Sequence, residues 1–194
     1  QKLGVWINAY NILAIRMVVD HYPVESIRDV GSLFRPVWKR DIATIEGRPV
    51  TLDQIEHEIL RPMGEPRIHA AIVCASRSCP SLQRTPFPHD ERLGAFLERI
   101  PREWFADPEK GLRIDRAQRR IHVSSILDWF EEDFDAQGGA LAFVIRYAPE
   151  RDRAWLEEHR DALRIRYLDY DWSLNEWRRG RTVSRAPWQR CAPW

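Results

Sequence analysis

Two cysteines five positions apart, Cys74 and Cys79, are the residues of this sequence best suited to nucleophilic chemistry. Pro80 follows the second cysteine, and because proline favours the first position of a helix, a short helix is predicted to begin there. A thiol at a helix N-terminus has a lowered pKa, which favours the reactive thiolate. The sequence therefore predicts Cys79 as a nucleophile. The alternative is a structural cysteine or a Cys74–Cys79 disulfide.

A nucleophilic cysteine needs a base, and two histidines are candidates. His69 lies in the apolar run from Arg67 to Cys74, which predicts an interior strand, and the loop after that strand would let His69 reach Cys79. The alternative is a core histidine whose hydrogen bonds are satisfied. His57 is the second candidate base. The alternative is that His57 belongs to a charged helix face together with Arg61, one turn further on.

Polar residues on an apolar helix form a further candidate group. Asn8 and Asn11 share one face, and burying two amides is unfavourable unless both are hydrogen-bonded. They predict either a structural network with Asp171 or amide donors that stabilise an oxyanion. Asp171 is a candidate to orient a catalytic histidine or to cap a turn. The candidate binding residues are Asn8, Asn11, Glu56, Arg61 and Ser76.

No sequence pattern predicts a cofactor. His69, Cys74 and Cys79 offer zinc ligands, and His57 or Asp171 offers a fourth, but paired Cys-x-x-Cys units are missing from the sequence. A glycine-rich phosphate loop and the motif Gly-x-Ser-x-Gly are missing as well. We therefore predict no bound metal and no cofactor.

The composition is that of one globular domain, with 194 residues, 44% hydrophobic and 30% charged. A net charge of +1 argues against non-specific binding of nucleic acid. No stretch reaches the roughly 18 uncharged apolar residues of a membrane span, so no transmembrane segment is predicted. The predicted partner is a small-molecule or peptide substrate, and the oligomeric state stays open.

The elements that must position these residues follow from hydrophobic periodicity and helix-capping signals. Apolar side chains cover most of the segment from Leu3 to Val19, which predicts a buried N-terminal helix. We predict hairpins within 42–50 and 112–123, helices at 52–61, 90–105, 124–134, 141–147 and 152–163, and a last strand at 164–170. This order predicts an α+β fold, with the buried N-terminal helix packed on a small antiparallel sheet among several surrounding helices.

Residues 1–175 are predicted to form a single domain, and 176–194 a basic tail with three tryptophans and five arginines. Such a tail fits packing on the weakly acidic body, or binding to an anionic surface.

Several ordered motifs resemble the domain of unknown function 547 family of bacterial and plant proteins. They are Trp6-Ile7-Asn8-Ala9-Tyr10-Asn11, 21–24 with 26–29, 55–61, 68–80, Trp129-Phe130 with Asp133-Phe134, and 170–175. The resemblance covers residues 4–175 and implies membership without an activity. Family members carry a further segment before the first helix, which implies a truncated or processed chain here. Many look exported, which favours a periplasmic or secreted location over a cytoplasmic one.

The layout of that family is also similar to papain-like and transglutaminase-like thiol enzymes, an analogy of architecture. The function expected is a thiol-dependent hydrolase or an acyl or amide transferase, with Cys79 as nucleophile and His69 or His57 as base. The alternative is a non-catalytic binding or scaffold domain, with a Cys74–Cys79 disulfide and a buried polar network.

Overall fold

The computed structural model describes residues 2–32 and 34–176. Helices and two small sheets make up this part of the chain, which confirms the predicted α+β class. The predicted basic tail lies, apart from Glu176, outside the described residues.

The N-terminal helix α1 (Lys2–His21) lies in the core, as predicted. Ile7 and Ala14 are fully buried, and the other buried positions recur at helical spacing along the same face. The helix packs mainly against two helical segments, Ile27–Val30 and Ile55–Leu60, and not on a sheet. The predicted helix is thus correct, and its packing partner differs.

One stripe of α1 stays outside the core. Val5, Ile12 and Val19 are 53%, 64% and 65% exposed, and their seven-residue spacing places them along one side of the helix. By length and composition α1 also meets the criterion for a membrane-spanning helix, as the core helices of soluble proteins and signal sequences do. The expectation of no transmembrane segment therefore stays a prediction from the sequence.

Thr51 caps the next helix, α2 (Leu52–Gln54), through the capping box that its sequence predicts. The Thr51 hydroxyl accepts a hydrogen bond from the Gln54 backbone at 3.1 Å, and the Gln54 side chain accepts one from the Thr51 backbone at 3.1 Å. The helix then continues as a π-helical turn at Ile55–Leu60 and a 3-10 turn at Arg61–Met63. π-helical turns are frequent at functional sites, and this one carries two of the candidate site residues.

The predicted interior strand from Arg67 to Cys74 is wrong. The segment contains a short helix, α3 (Ile68–Ala71), closed by a 2.9 Å hydrogen bond from the Ile72 N–H to the Ile68 carbonyl. Periodicity alone does not separate a short apolar strand from a short buried helix, because both are apolar on all sides. His69 therefore lies on a helical turn and not on a strand.

The remaining helices lie close to their predicted positions. The helix predicted for 124–134 breaks at Phe130 into an α-helical and a 3-10 segment. The α-helices are α4 (Leu93–Phe105), α5 (Ile126–Trp129), α6 (Gly139–Tyr147) and α7 (Glu150–Glu158), and the other 3-10 segments are Val37–Lys39, Glu131–Gln137 and Arg160–Ala162.

Two hairpins form as predicted, and a fifth strand changes the character of the second sheet. The strands β1 (Ala43–Ile45) and β2 (Arg48–Val50) pair in antiparallel fashion, as do β3 (Leu112–Asp115) and β4 (Arg120–Val123). The last strand, β5 (Arg164–Tyr167), is parallel to β4. Since α5, α6 and α7 connect the two, the chain returns to the same end of the sheet, so an all-antiparallel sheet is wrong.

Candidate functional site

Cys74 and Cys79 lie at the two ends of a tight turn, and neither lies at a helix N-terminus. The predicted helix after Cys79 is wrong, since the chain is not helical from Pro80 to Pro88. Proline at three positions of this short segment prevents the helical hydrogen bonds. The helix dipole therefore does not act on Cys79, and any activation of its thiol must come from local hydrogen bonds.

The turn is held by its own backbone and by the C-terminal segment 170–176. Ala75 adopts a left-handed conformation with φ of 59°, which costs an alanine roughly 1 to 2 kcal/mol. Ser76 and Leu174 form an isolated antiparallel bridge across the turn. The supporting backbone hydrogen bonds are Cys79 N–H to Ser76 O at 3.2 Å, Arg77 N–H to Ser173 O at 2.9 Å and Asn175 N–H to Ala75 O at 2.8 Å.

Asp171 fixes this crossing segment. Its backbone N–H donates to the Ser78 hydroxyl at 2.8 Å, and its carboxylate accepts the Ser173 N–H at 2.9 Å. Within 2–32 and 34–176 its carboxylate makes no hydrogen bond to a histidine. Of its two predicted roles, the geometry matches the turn cap.

The two thiols are in direct contact. Their Sγ atoms are 2.7 Å apart, and both cysteines are free. Cys79 Sγ accepts a hydrogen bond from the Cys74 N–H at 2.9 Å and from the Tyr170 hydroxyl at 3.5 Å. Cys74 Sγ lies 3.0 Å from Ser76 Oγ and 3.3 Å from the Tyr170 hydroxyl oxygen. We call these four residues, Cys74, Ser76, Cys79 and Tyr170, the thiol cluster.

The two thiols differ in acidity. Burial raises the pKa of Cys79, but hydrogen bonds from the Cys74 side chain, the Tyr170 hydroxyl and the Cys74 backbone outweigh it and bring the pKa to about 7. Burial raises the pKa of Cys74 well above its usual value, and the hydrogen bond and charge of Cys79 add to the rise. Near pH 7, Cys79 is therefore partly ionised, whereas Cys74 stays protonated and can donate its proton to the Cys79 sulfur.

Tyr10 and Glu56 add an acid–base pair beside the thiol cluster. The Tyr10 hydroxyl, on the buried face of α1, donates to Glu56 Oε2 at 3.0 Å. Burial raises the pKa of Glu56 to about 7, although the Tyr10 hydrogen bond opposes the rise and the charge of Cys74 adds to it. Burial also raises the pKa of Tyr10, with further contributions from Glu56, Cys74 and Cys79. Both groups are therefore close enough to the thiols to sense their charge.

His69 belongs to a different buried network. It is 2% exposed, its Nε2 lies 2.7 Å from Asp133 Oδ2, and its ring stacks on Phe130 with centroids 4.3 Å apart. Burial lowers its pKa, although the hydrogen bond to Asp133 opposes this, so the ring is neutral at pH 7 and donates its Nε2–H. In the described chain His69 makes no hydrogen bond to Cys79, because α3 directs its ring toward Asp133. The geometry matches the alternative of a satisfied core histidine.

Arg61 and His57 extend this second network toward the surface. Arg61 donates from Nε to Asp133 Oδ2 at 2.7 Å and from Nη2 to Oδ1 at 2.9 Å. His57 is exposed, and its Nδ1 lies 3.0 Å from Arg61 Nη1. Burial raises the pKa of Asp133, but hydrogen bonds from His69 and Arg61 hold it well below its usual range. Both candidate bases thus contact the Asp133 network and not the thiol cluster.

Asn8 and Asn11 hold two backbone segments against α1. Asn8 exchanges two hydrogen bonds with the Phe87 backbone, at 2.9 and 2.8 Å. Asn11 donates to the Ala71 carbonyl at 2.9 Å and accepts the Val73 N–H at 2.8 Å. The predicted network with Asp171 does not form. Asn11 instead positions the backbone segment that leads to Cys74.

Replacing Asn11 with leucine is expected to lower the free energy of unfolding by about 1 to 3 kcal/mol, although leucine is the better helix former. The change leaves the buried Ala71 carbonyl and the Val73 N–H without a partner. Thermal unfolding followed by circular dichroism measures the effect, with Val5→Leu on the exposed stripe of α1 as the control. A melting temperature equal to that of the control would contradict this role.

Two residues of the site, Tyr10 and Tyr170, are not predicted by the sequence motifs. A tyrosine on the buried face of a helix needs a partner for its hydroxyl, and that signal was available for Tyr10. No signal in the sequence connects Tyr170 with cysteines that precede it by 91 and 96 positions.

An open groove of about 650 Å³ lies elsewhere, lined in part by β3 and the start of α7, and it shares no residue with the thiol cluster. Within 2–32 and 34–176, no group of three or more His, Cys, Asp or Glu side chains is arranged to hold a metal ion.

A family model described as "Protein of unknown function, DUF547" matches residues 1–104, slightly more than half of the chain. No curated protein and no solved structure matches it. The matched range contains Glu56, His69 and the two cysteines of the turn, Cys74 and Cys79. Asp133 and Tyr170 lie beyond it.

Proposed function

We propose that this chain, which belongs to the DUF547 family of proteins of unknown function, is a thiol-dependent hydrolase or an acyl or amide transferase. Its nucleophile is Cys79. The observation that carries the proposal is the set of hydrogen bonds on Cys79 Sγ, from the Cys74 N–H, the Cys74 thiol and the Tyr170 hydroxyl. Together they stabilise a thiolate at neutral pH, which is the form that attacks a carbonyl carbon.

The reaction has two stages. The Cys79 thiolate attacks the carbonyl carbon of a small-molecule or peptide substrate, and collapse of the adduct expels the leaving group with a proton. Water or an acceptor amine then attacks the thioester, releases the acyl group and regenerates the thiolate. Tyr170 places a hydroxyl donor beside Cys79 Sγ, where the developing oxyanion needs it, and Ser76 supports Tyr170 by donating to its hydroxyl oxygen at 3.1 Å.

Glu56 supplies the acid–base function in this proposal. A carboxyl with a pKa of about 7 both donates and accepts protons at neutral pH, which suits proton transfer to the leaving group and from the incoming nucleophile. In papain-like enzymes a histidine fills this role. Here His69 is bonded to Asp133, so the proposed scheme departs from that pattern.

Cys79 is expected to react with iodoacetamide at pH 7 faster than Cys74. Its rate should rise with pH and reach half of its maximum near pH 7, because the thiolate fraction rises as the thiol titrates. Mass spectrometry of timed digests measures both rates, in a Cys191→Ser background that removes the third thiol. The matched variant Tyr170→Phe loses one hydrogen bond to the thiolate and should shift the profile to higher pH. Faster labelling of Cys74 would overturn the assignment of the nucleophile.

The acyl-transfer step itself can be tested with p-nitrophenyl acetate as a simple acyl donor. We expect a burst of p-nitrophenolate and an acetyl group on Cys79, both of which Cys79→Ser abolishes. The variant Glu56→Gln should slow turnover of the acetyl-enzyme while Cys79 still labels with iodoacetamide. Failure to detect acetylated Cys79 in a protein whose Cys79 alkylates would contradict the acyl-transfer proposal.

The contact between the two sulfur atoms favours a second candidate function. A Cys74–Cys79 disulfide in a non-catalytic binding or scaffold domain would use the same turn as a structural link. The labelling experiment separates the two candidates. Slow labelling of both cysteines before reduction, followed by fast labelling after it, would support the scaffold.

A further inference from the structure

The paired thiols have a chemistry that a single nucleophile does not need. Acyl transfer uses only Cys79, yet the structure holds Cys74 Sγ 2.7 Å from Cys79 Sγ. A disulfide bond is about 2.05 Å long, so a small movement of the two side chains is enough to form it. The turn of 74–79 therefore presents a dithiol that can close.

The two sulfurs are also chemically distinct within this dithiol. Cys79 Sγ accepts two N–H or O–H hydrogen bonds, which suits the thiolate, whereas Cys74 Sγ contacts hydroxyl groups of Ser76 and Tyr170. Tyr170 reaches both sulfurs, so its hydroxyl can follow the negative charge as it moves from one sulfur to the other. This arrangement distinguishes an attacking thiol from a resolving thiol.

The two cysteines of the dithiol differ in exposure. Cys79 is 4% exposed, while Cys74 and Tyr170 are half-buried and form the more exposed part of the thiol cluster. Because the two sulfurs are in contact, a group attached to Cys79 Sγ is next to the Cys74 thiol from the moment it forms.

We propose that Cys74 and Cys79 exchange with the disulfide of a second molecule, an activity that rests on the proposed role of Cys79 as nucleophile. The Cys79 thiolate attacks one sulfur of that disulfide, forms a mixed disulfide and releases one thiolate. Cys74 then loses its proton to the released thiolate and attacks Cys79 Sγ, which expels the other half of the substrate disulfide as a second thiolate. The products are the Cys74–Cys79 disulfide, one thiol and one thiolate that takes up a proton from solvent, so the dithiol is oxidised by two electrons and the substrate disulfide is reduced by two.

Stoichiometry with oxidised glutathione tests this sequence of steps in the 194-residue Cys191→Ser protein. Reduced protein is expected to release two glutathione molecules and to form the Cys74–Cys79 disulfide. Cys74→Ser should release one and remain as a mixed disulfide on Cys79, and Cys79→Ser should release none. A synthetic peptide closed by one disulfide forms the second arm, and a faster rate there assigns the partner as a peptide or protein disulfide.

Rapid acid quenching of the Cys191→Ser protein with both paired thiols intact, followed by peptide mapping, keeps the test decisive if a cysteine variant fails to fold. The first mixed disulfide should be on Cys79. A mixed disulfide on Cys74, or one on Cys79 that persists while Cys74 stays reduced, would overturn the proposal. If Cys79 alkylates and acetylates as proposed but releases no glutathione, the exchange reaction fails and the acyl-transfer function stands. If Cys79 does not alkylate either, both fail.

Discussion

Asp133→Ala is expected to lower the free energy of unfolding by roughly 3 to 5 kcal/mol, the range found when one partner of a buried charged pair is removed. The Asp133 carboxylate is the acceptor for the Arg61 guanidinium, whose side chain is 19% exposed, and for the His69 ring, whose side chain is 1% exposed. Without it, the buried His69 N–H loses its partner, and the mostly buried Arg61 guanidinium keeps only the exposed Glu132 carboxylate. The loss should therefore exceed that of a single neutral hydrogen bond.

Urea unfolding at pH 7 measures this loss, with Asp135→Ala as the control on the same 3-10 segment. Asp135 is exposed, so its removal changes the charge equally but breaks no buried contact. Asp133→Asn should be less damaging than Asp133→Ala, because an amide oxygen still accepts one hydrogen bond. Equal midpoints for Asp133→Ala and Asp135→Ala would show that the network adds nothing to stability.

Glu56→Gln is expected to change how stability depends on pH. The folded-state pKa of Glu56, about 7, lies above the ordinary value of 4.5, so the folded protein binds the proton more tightly than the unfolded chain. The stability that comes from this protonated carboxyl is complete below pH 4.5 and is lost as pH rises to about 7. Between pH 5 and pH 8, the wild type should lose on the order of 2 kcal/mol relative to the glutamine variant.

The measurement is urea unfolding of both proteins at several pH values between 5 and 8. Glu58→Gln, an exposed glutamate on the same π-helical turn, is the matched control and should follow the wild type. If the unfolding free energies of the wild type and Glu56→Gln change in parallel with pH, folding does not raise the pKa of the Glu56 carboxyl. That result would also remove Glu56 as the acid–base group of the proposed mechanism.

Local signals in the sequence predicted the elements that local physics controls. The Thr51 capping box, the two hairpins and the apolar face of α1 each depend on residues within a few positions of one another. The strand predicted for 67–74 is wrong because the apolar composition of this segment is compatible with both a strand and a buried helix. Tertiary packing decides between them, and it favours the short helix α3.

The candidate site was predictable in its residue types and not in its pairings. Cys79 was identified, but its expected activation by a helix dipole is replaced by hydrogen bonds from Cys74 and Tyr170. His69 was identified as well, yet its partner Asp133 is 64 positions away, and no local pattern predicts such a contact. Side-chain pairings of this kind follow from the folded topology, which the sequence motifs do not specify.

The crossing of the thiol turn by the segment 170–176 has a consequence for the newly made chain. Tyr170 follows Cys79 by 91 positions, so at about 5 to 20 residues per second both cysteines leave the ribosome roughly 5 to 20 seconds earlier. Until then the turn lacks its bridge to Leu174, and Cys79 lacks the Tyr170 hydrogen bond that helps to lower its pKa. The hydrogen bond from Tyr170 to Cys79 Sγ is thus acquired only after the segment 170–176 has been synthesised, which limits premature reactions of the nascent chain.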